Sequence, residues 1–180
     1  MGADPSGCAL VCYNVRSVSS YGYDGMQSVN SHISEYAAAA YAKALNYLLS
    51  DGSHRTQLGN VTVVYWSEDN TSEYGKCFDT LLNGSSGEKA SYSLDTIMQS
   101  LRMGKSFAFD EEELNPKESF YVLGLGSSGS RASVRFFWKD SFGNVLENLY
   151  EHQMRLWVER PEKVQSIPTY LLLKAASSPG

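Results

Sequence analysis

Ser119-Phe-Tyr-Val-Leu-Gly-Leu125 and Arg131-Ala-Ser-Val-Arg-Phe-Phe-Trp138 are two runs rich in β-branched and aromatic residues, separated by Gly126-Ser-Ser-Gly-Ser130. Such residues fit a pleated, half-buried surface, and a short glycine-serine link between two such runs specifies an antiparallel hairpin. The glycines of this stretch also spell Gly124-Leu-Gly126-Ser-Ser-Gly129, a literal G-x-G-x-x-G. That fingerprint cradles a pyrophosphate only when it opens a helix, and here a strand sequence follows. The dinucleotide reading is therefore rejected, and the motif is assigned to the hairpin.

Working outward, Asp140-Ser141 caps a long helix with Phe142, Val145, Leu146, Leu149, Tyr150 and Leu156 on its apolar side. Pro161 ends it, and 167–176 reads as a last short helix. Upstream, Val61-Thr-Val-Val-Tyr-Trp66 is a strong strand. Ser34 and Glu35 open a helix whose apolar positions are Ile33, Ala37, Ala40, Tyr41, Ala44, Leu45 and Leu48, ended by Asp51-Gly52. Residues 74–82 and 92–103 read as two further helices, and Ala9-Leu-Val-Cys-Tyr-Asn14 as a short strand. Asp110 to Glu113 reads as an acidic, solvated loop. Strands and helices mix without a βαβ rhythm, so the expected class is α+β: a mixed or antiparallel sheet including the C-terminal-half hairpin, packed with several helices.

The chain has 180 residues, 42% hydrophobic and 19% charged, the balance of a folded globular protein rather than a disordered one. No window approaches the eighteen or so apolar residues of a membrane span, and Met1 to Gly7 has neither the basic flank nor the apolar run of a secretory signal. Three cysteines, an odd number, fit a reducing compartment, and the expected location is cytoplasmic. The net charge of −5 argues against strong autonomous nucleic-acid binding. The acidity is concentrated before residue 114, however, and residues 114–180 carry a small basic excess that allows local contacts.

Catalytic and metal signatures are weak. Cys8 and Cys12 could share a strand face, but with only Cys77 besides and no paired histidines a zinc site is not expected. His32 precedes a helix, His54 lies in a polar turn and His152 on the long helix. No G-x-S-x-G elbow appears, and no motif fixes nucleophile, base and orienter together. The expectation is a non-enzyme without cofactor or metal. The rival is a small hydrolase pairing Cys12 or Cys77 with a histidine, and a third reading is a truncated remnant that folds without assembling.

Alternation along the second hairpin strand places Ala132, Val134, Phe136 and Trp138 on one face, expected to meet the core. Arg131, Ser133, Arg135 and Phe137 share the other. Two guanidinium groups, a hydroxyl and an aromatic ring suit phosphates and exposed bases. The ordinary alternative is a solvated face with its arginines paired to carboxylates.

Four stretches, taken in order, carry a resemblance. They are Ala9-Leu-Val-Cys-Tyr-Asn14 with Ser20-Tyr-Gly22; Ala44-Leu-Asn-Tyr-Leu-Leu49; Val61-Thr-Val-Val-Tyr-Trp-Ser-Glu68; and Phe120-Tyr-Val-Leu-Gly-Leu125 continuing through Arg131-Ala-Ser-Val-Arg-Phe-Phe137 and Asp140-Ser-Phe-Gly143. Together they resemble the large subunit of the type I-C CRISPR interference complex, Cascade. Family members are several times longer, and their hairpin loop usually carries a Ser-Pro-Asn-type turn where this chain has Gly126-Ser-Ser128. Residues 1–180 are accordingly expected to form a single α+β segment from the central part of such a subunit. The N-terminal region that reads the protospacer-adjacent motif and the C-terminal helical bundle are expected to lie outside it.

The resemblance implies a non-catalytic component of an RNA-guided antiviral complex, in which guide RNA reads the target and the large subunit grips DNA. It implies as partners the other Cascade subunits, crRNA, target DNA and a recruited helicase-nuclease, with no membrane. It makes Arg131, Ser133, Arg135 and Phe137 the leading nucleic-acid contacts. Asn14, Tyr21 and Gly22 are secondary candidates whose loop could instead serve subunit packing.

Overall fold

The computed structural model describes residues 33–83, 96–110, 112–128 and 131–155. The proposed strand at 9–14, the candidates Asn14, Tyr21 and Gly22, Cys8, Cys12 and His32, and the helix at 167–176 all lie outside the described residues.

The sheet has four antiparallel strands: β1 (Arg55–Leu58), β2 (Val61–Ser67), β5 (Ser119–Ser128) and β6 (Arg131–Ser141), in the order β1-β2-β5-β6. A separate hairpin pairs β3 (Phe107–Phe109) with β4 (Glu112–Leu114). Four helices accompany them among the described residues: α1 (Glu35–Ser50), α2 (Ser72–Asn83), α3 (residues 96–102) and α4 (Phe142–Arg155). The α+β expectation holds, and every described strand pair is antiparallel.

Local chemistry explains the boundaries. Ser34 caps α1 by accepting a hydrogen bond from the Ala37 N–H at 3.2 Å. At the other end Asp51 N–H donates to Tyr47 O, and a 3₁₀ turn, Gly52–His54, leads into β1. The two-residue Gly59-Asn60 turn joins β1 to β2, with Gly59 at a φ of 59° that costs glycine little. At the start of α4, Phe142 N–H donates to Glu118 O and Gly143 N–H to Pro116 O, both at 2.8 Å. Asp140 accepts from Ser141 N–H and Asn144 Nδ2, and the Ser141 hydroxyl accepts from Asn144 N–H, so the two residues cap α4 as read from the sequence.

One core holds these elements together. Val63 and Tyr65 of β2, Phe120 and Val122 of β5, and half-buried Trp138 of β6 face Tyr74, Cys77, Phe78 and Leu81 of α2 and Phe142, Val145 and Leu146 of α4. Ile97 and Met98 of α3, with Phe107 and Leu114 of the small hairpin, close it. Phe142 is fully buried at the centre, 4.8 Å edge-on from the Tyr74 ring and 5.0 Å from the Phe120 ring.

Four expectations need correction. Residues 55–58 were not expected to form a strand, yet they pair with β2 as β1. The acidic stretch at 110–113 is not simply a loop: Glu112 and Glu113 lie in β4, with Asp110 at a φ of 54° at the turn, although the described acids are exposed as expected. The apolar stripe of α1 buries nothing completely; Leu45 and Leu48 are half-buried, while Ile33 and Tyr41 are exposed. His54 is buried, with Nδ1 at 3.3 Å from the Tyr65 carbonyl oxygen.

Candidate nucleic-acid interface

Among the described strands β6 lies at the edge of the sheet, and a bulge divides it. Leu125 pairs with Val134 and Gly124 with Phe136, which leaves Arg135 as an extra residue without a partner across the ladder. An inserted residue reverses the inside-outside alternation beyond it. The face assignment made from strict period two therefore fails. Phe136 stands on the core-facing side over Gly124, where a Cβ would collide with its ring, and Trp138 follows it on that side, opposite Val122. Val134 and Phe137 belong to the opposite face.

Edge position has a second effect, since among the described strands β6 has a neighbour on one side only. Val134 is 59% exposed, Phe136 45% and Phe137 58%, so of the four residues expected at the core only Trp138 packs against it.

The four leading candidates are thus divided. Arg131 pairs with Ser128 at the turn end of the hairpin. Ser133 is half-buried and its hydroxyl donates to Gly126 O at 3.2 Å, so its main role is to tie the two strands together. Arg135 is exposed, with Nε against the space a Gly126 Cβ would need. It forms no ion pair among the described residues, nor does Lys139. The alternative of arginines neutralised by carboxylates thus finds no support at Arg135.

Phe137, on the other face, belongs to a group that the sequence reading missed. Its ring lies 6.4 Å from the Tyr121 ring, with planes 29° apart, and Tyr121 stacks on Trp66 at 5.2 Å and 5°. Lys139 Nζ sits 5.1 Å from the centre of the Tyr121 ring. Trp66, Tyr121 and Lys139 come from three different strands, aligned by the pairing of Tyr121 with both. β2 and β5 are separated by the 51 residues 68–118, so no local signal fixes that register; the aromatic and β-branched composition of both strands was the only hint.

Elsewhere among the described residues, two groups bear on the hydrolase reading. Cys77, one of the two thiols offered to the hydrolase reading, is buried in α2, and burial pushes its pKa up to about 12, which leaves little thiolate at neutral pH. His152 is exposed on α4. No cluster of three or more metal-ligating side chains occurs among the described residues, and no described helix is long and apolar enough to cross a membrane. Gly124 and Gly126 lie within β5 and β6 continues as a strand, contrary to what a dinucleotide loop requires.

A family model described as CRISPR-associated protein (Cas_Csd1) matches residues 1–179. No curated protein matches the chain.

Proposed function

Because the chain belongs to the Cas_Csd1 family of CRISPR-associated proteins, we propose that it serves as a non-catalytic part of the large subunit of a type I-C interference complex. There it contributes to target-DNA binding and to assembly. The family match over 1–179 carries the reading, and the exposed edge strand, with Arg135 and Lys139 free of ion pairs among the described residues, supports the DNA-binding half of it. In this role sequence is read by guide RNA, while the protein supplies backbone contacts and holds separated strands. An acidic chain suits that division of labour: it binds DNA poorly alone and contributes a few cations within a larger assembly. Its partners are the repeated backbone subunit, the crRNA-processing subunit, crRNA, target DNA and the recruited helicase-nuclease, all in the cytoplasm. The role asks for no metal or cofactor from this chain.

Reconstitution tests the proposal. A complex assembled with the protein binds duplex target matching its guide, and omission of the protein abolishes or strongly weakens that binding. Equal target affinity with and without it would remove the proposed role.

A further inference from the structure

We propose that Phe137 is a stacking platform for unpaired bases of a single nucleic-acid strand, with Lys139 contacting the adjoining phosphate. This rests on the nucleic-acid-binding reading above and specifies what part of the target it takes. Trp66, Tyr121 and Phe137 form a column running across β2, β5 and β6 towards the edge of the sheet. Phe137 is its last ring among the described residues. One side of the ring addresses Tyr121, and the side chain as a whole remains 58% exposed on a strand that has no further neighbour among the described strands. A base laid on the free side would continue the column. The two inner rings hold the platform in orientation, so little side-chain freedom is lost when a base arrives.

The charges around the ring select the occupant. On the Phe137 face β6 carries the cation Lys139, and the strand's single acid, Asp140, is engaged in capping α4. Lys139 is two residues from Phe137 on the same face and is held against the column by its contact with Tyr121. A ring face with a cation beside it matches the two parts of a nucleotide, a flat base and an anionic phosphate. The apolar centre of a protein-docking patch, by contrast, is depleted of charge. Paired bases in a duplex have their faces covered by their neighbours, so the platform is specific for an unpaired strand, such as the one displaced when guide RNA invades the target.

The test measures oligothymidylate, a same-length abasic strand and duplex target against the assembled complex. Phe137→Ala weakens oligothymidylate binding about 5- to 150-fold, the range for loss of one base–aromatic stack, while leaving the abasic strand and the salt dependence unchanged. Phe137→Trp restores the affinity. Phe137→Leu, which keeps an apolar side chain for packing, fails to restore it. Lys139→Gln lowers the slope of log affinity against log salt by about 0.7. Oligothymidylate binding that is indifferent to Phe137→Ala, or equal wild-type affinity for the abasic strand, overturns the platform while duplex binding keeps the broader reading intact. A wild-type complex that binds neither strand nor duplex overturns both. A lower melting temperature in Phe137→Ala with unchanged oligothymidylate affinity would make the column a purely structural cross-strand ladder and also refute the proposal.

Discussion

Replacing Gly75 by alanine opposes two effects whose balance the geometry decides. Gly75 is buried within α2, where alanine is intrinsically better than glycine by about 1 kcal/mol. A Cβ at that position, however, would stand 2.6 Å from the Ser53 carbonyl oxygen and 3.2 Å from Cε2 of Tyr65. Carbon–oxygen contacts relax only beyond about 3.3 Å, so one side must yield by roughly 0.7 Å. Neither is free to do so. Ser53 is held by hydrogen bonds from its N–H and hydroxyl to Asp51 Oδ1, both at 2.9 Å. Tyr65 is fully buried, packs on Phe78 at 4.8 Å and donates to Asp79 at 3.2 Å.

Overpacking of this kind costs about 1–3 kcal/mol after relaxation. The lattice of fixed neighbours puts Gly75→Ala towards the upper part of that range, leaving a net loss of about 1–2 kcal/mol. For a chain of this size that lowers the melting temperature by about 2–8 °C. Gly52→Ala is the matched control, because nothing lies within 4 Å of its Cβ position and its stability should be unchanged or slightly higher. Thermal melts of both variants by circular dichroism, beside the parent, decide the matter. A Gly75→Ala melting temperature equal to or above that of Gly52→Ala would refute the close approach of α2 to the 3₁₀ turn.

Further outcomes follow from the same structure. Arg131→Ala with Arg135→Ala should leave the fold intact, since Arg135 is exposed and forms no ion pair among the described residues, while reducing the salt slope of target binding by up to about 1.8 across all target sequences; an unchanged slope would retire the contact. Stability should fall as pH rises above about 9. Cys77, pushed up to about 12 by burial, and Tyr65, raised by burial and by Asp79, keep their protons in the folded protein while the unfolded chain releases them. Each such group contributes up to about 1.4 kcal/mol per pH unit, and Cys77→Ala should flatten the alkaline limb in urea titrations at pH 8–11. Phe142→Ala should cost about 3–5 kcal/mol, because its ring fills the centre of the core; denaturant melts showing less than about 1 kcal/mol would contradict its placement. Purified protein should cleave neither DNA nor RNA, with or without divalent metal; activity that follows the chain through purification and vanishes in Cys77→Ala would restore the hydrolase reading.

Much of the fold was legible because its signals are local. Ser34, Asp140 and Ser141 mark helix starts by side-chain capping, and the valine-rich β2 and the hairpin declare themselves by composition. β1 escaped because Arg-Thr-Gln-Leu is short and polar, although Gly59-Asn60 beside it was a usable turn signal. The face of β6 was misread for two non-local reasons. Its place at the sheet edge depends on strand order, and the extra residue at Arg135 is accommodated by Gly124 and Gly126 on the partner strand, which leave room for Phe136 and Arg135. The aromatic column needed the register between β2 and β5, which composition cannot supply. Arg135 and Phe137, expected on one face, thus lie on opposite faces and in different company from that expected.

The central claim is membership of an RNA-guided assembly, and affinity purification from cells that express the protein with its neighbouring genes tests it most directly. A tag on this protein should recover crRNA of uniform length together with the repeated backbone subunit in fixed proportion, through size exclusion at physiological salt. Recovery of the protein alone, free of crRNA and of the backbone subunit while both are present in the lysate, would contradict the account.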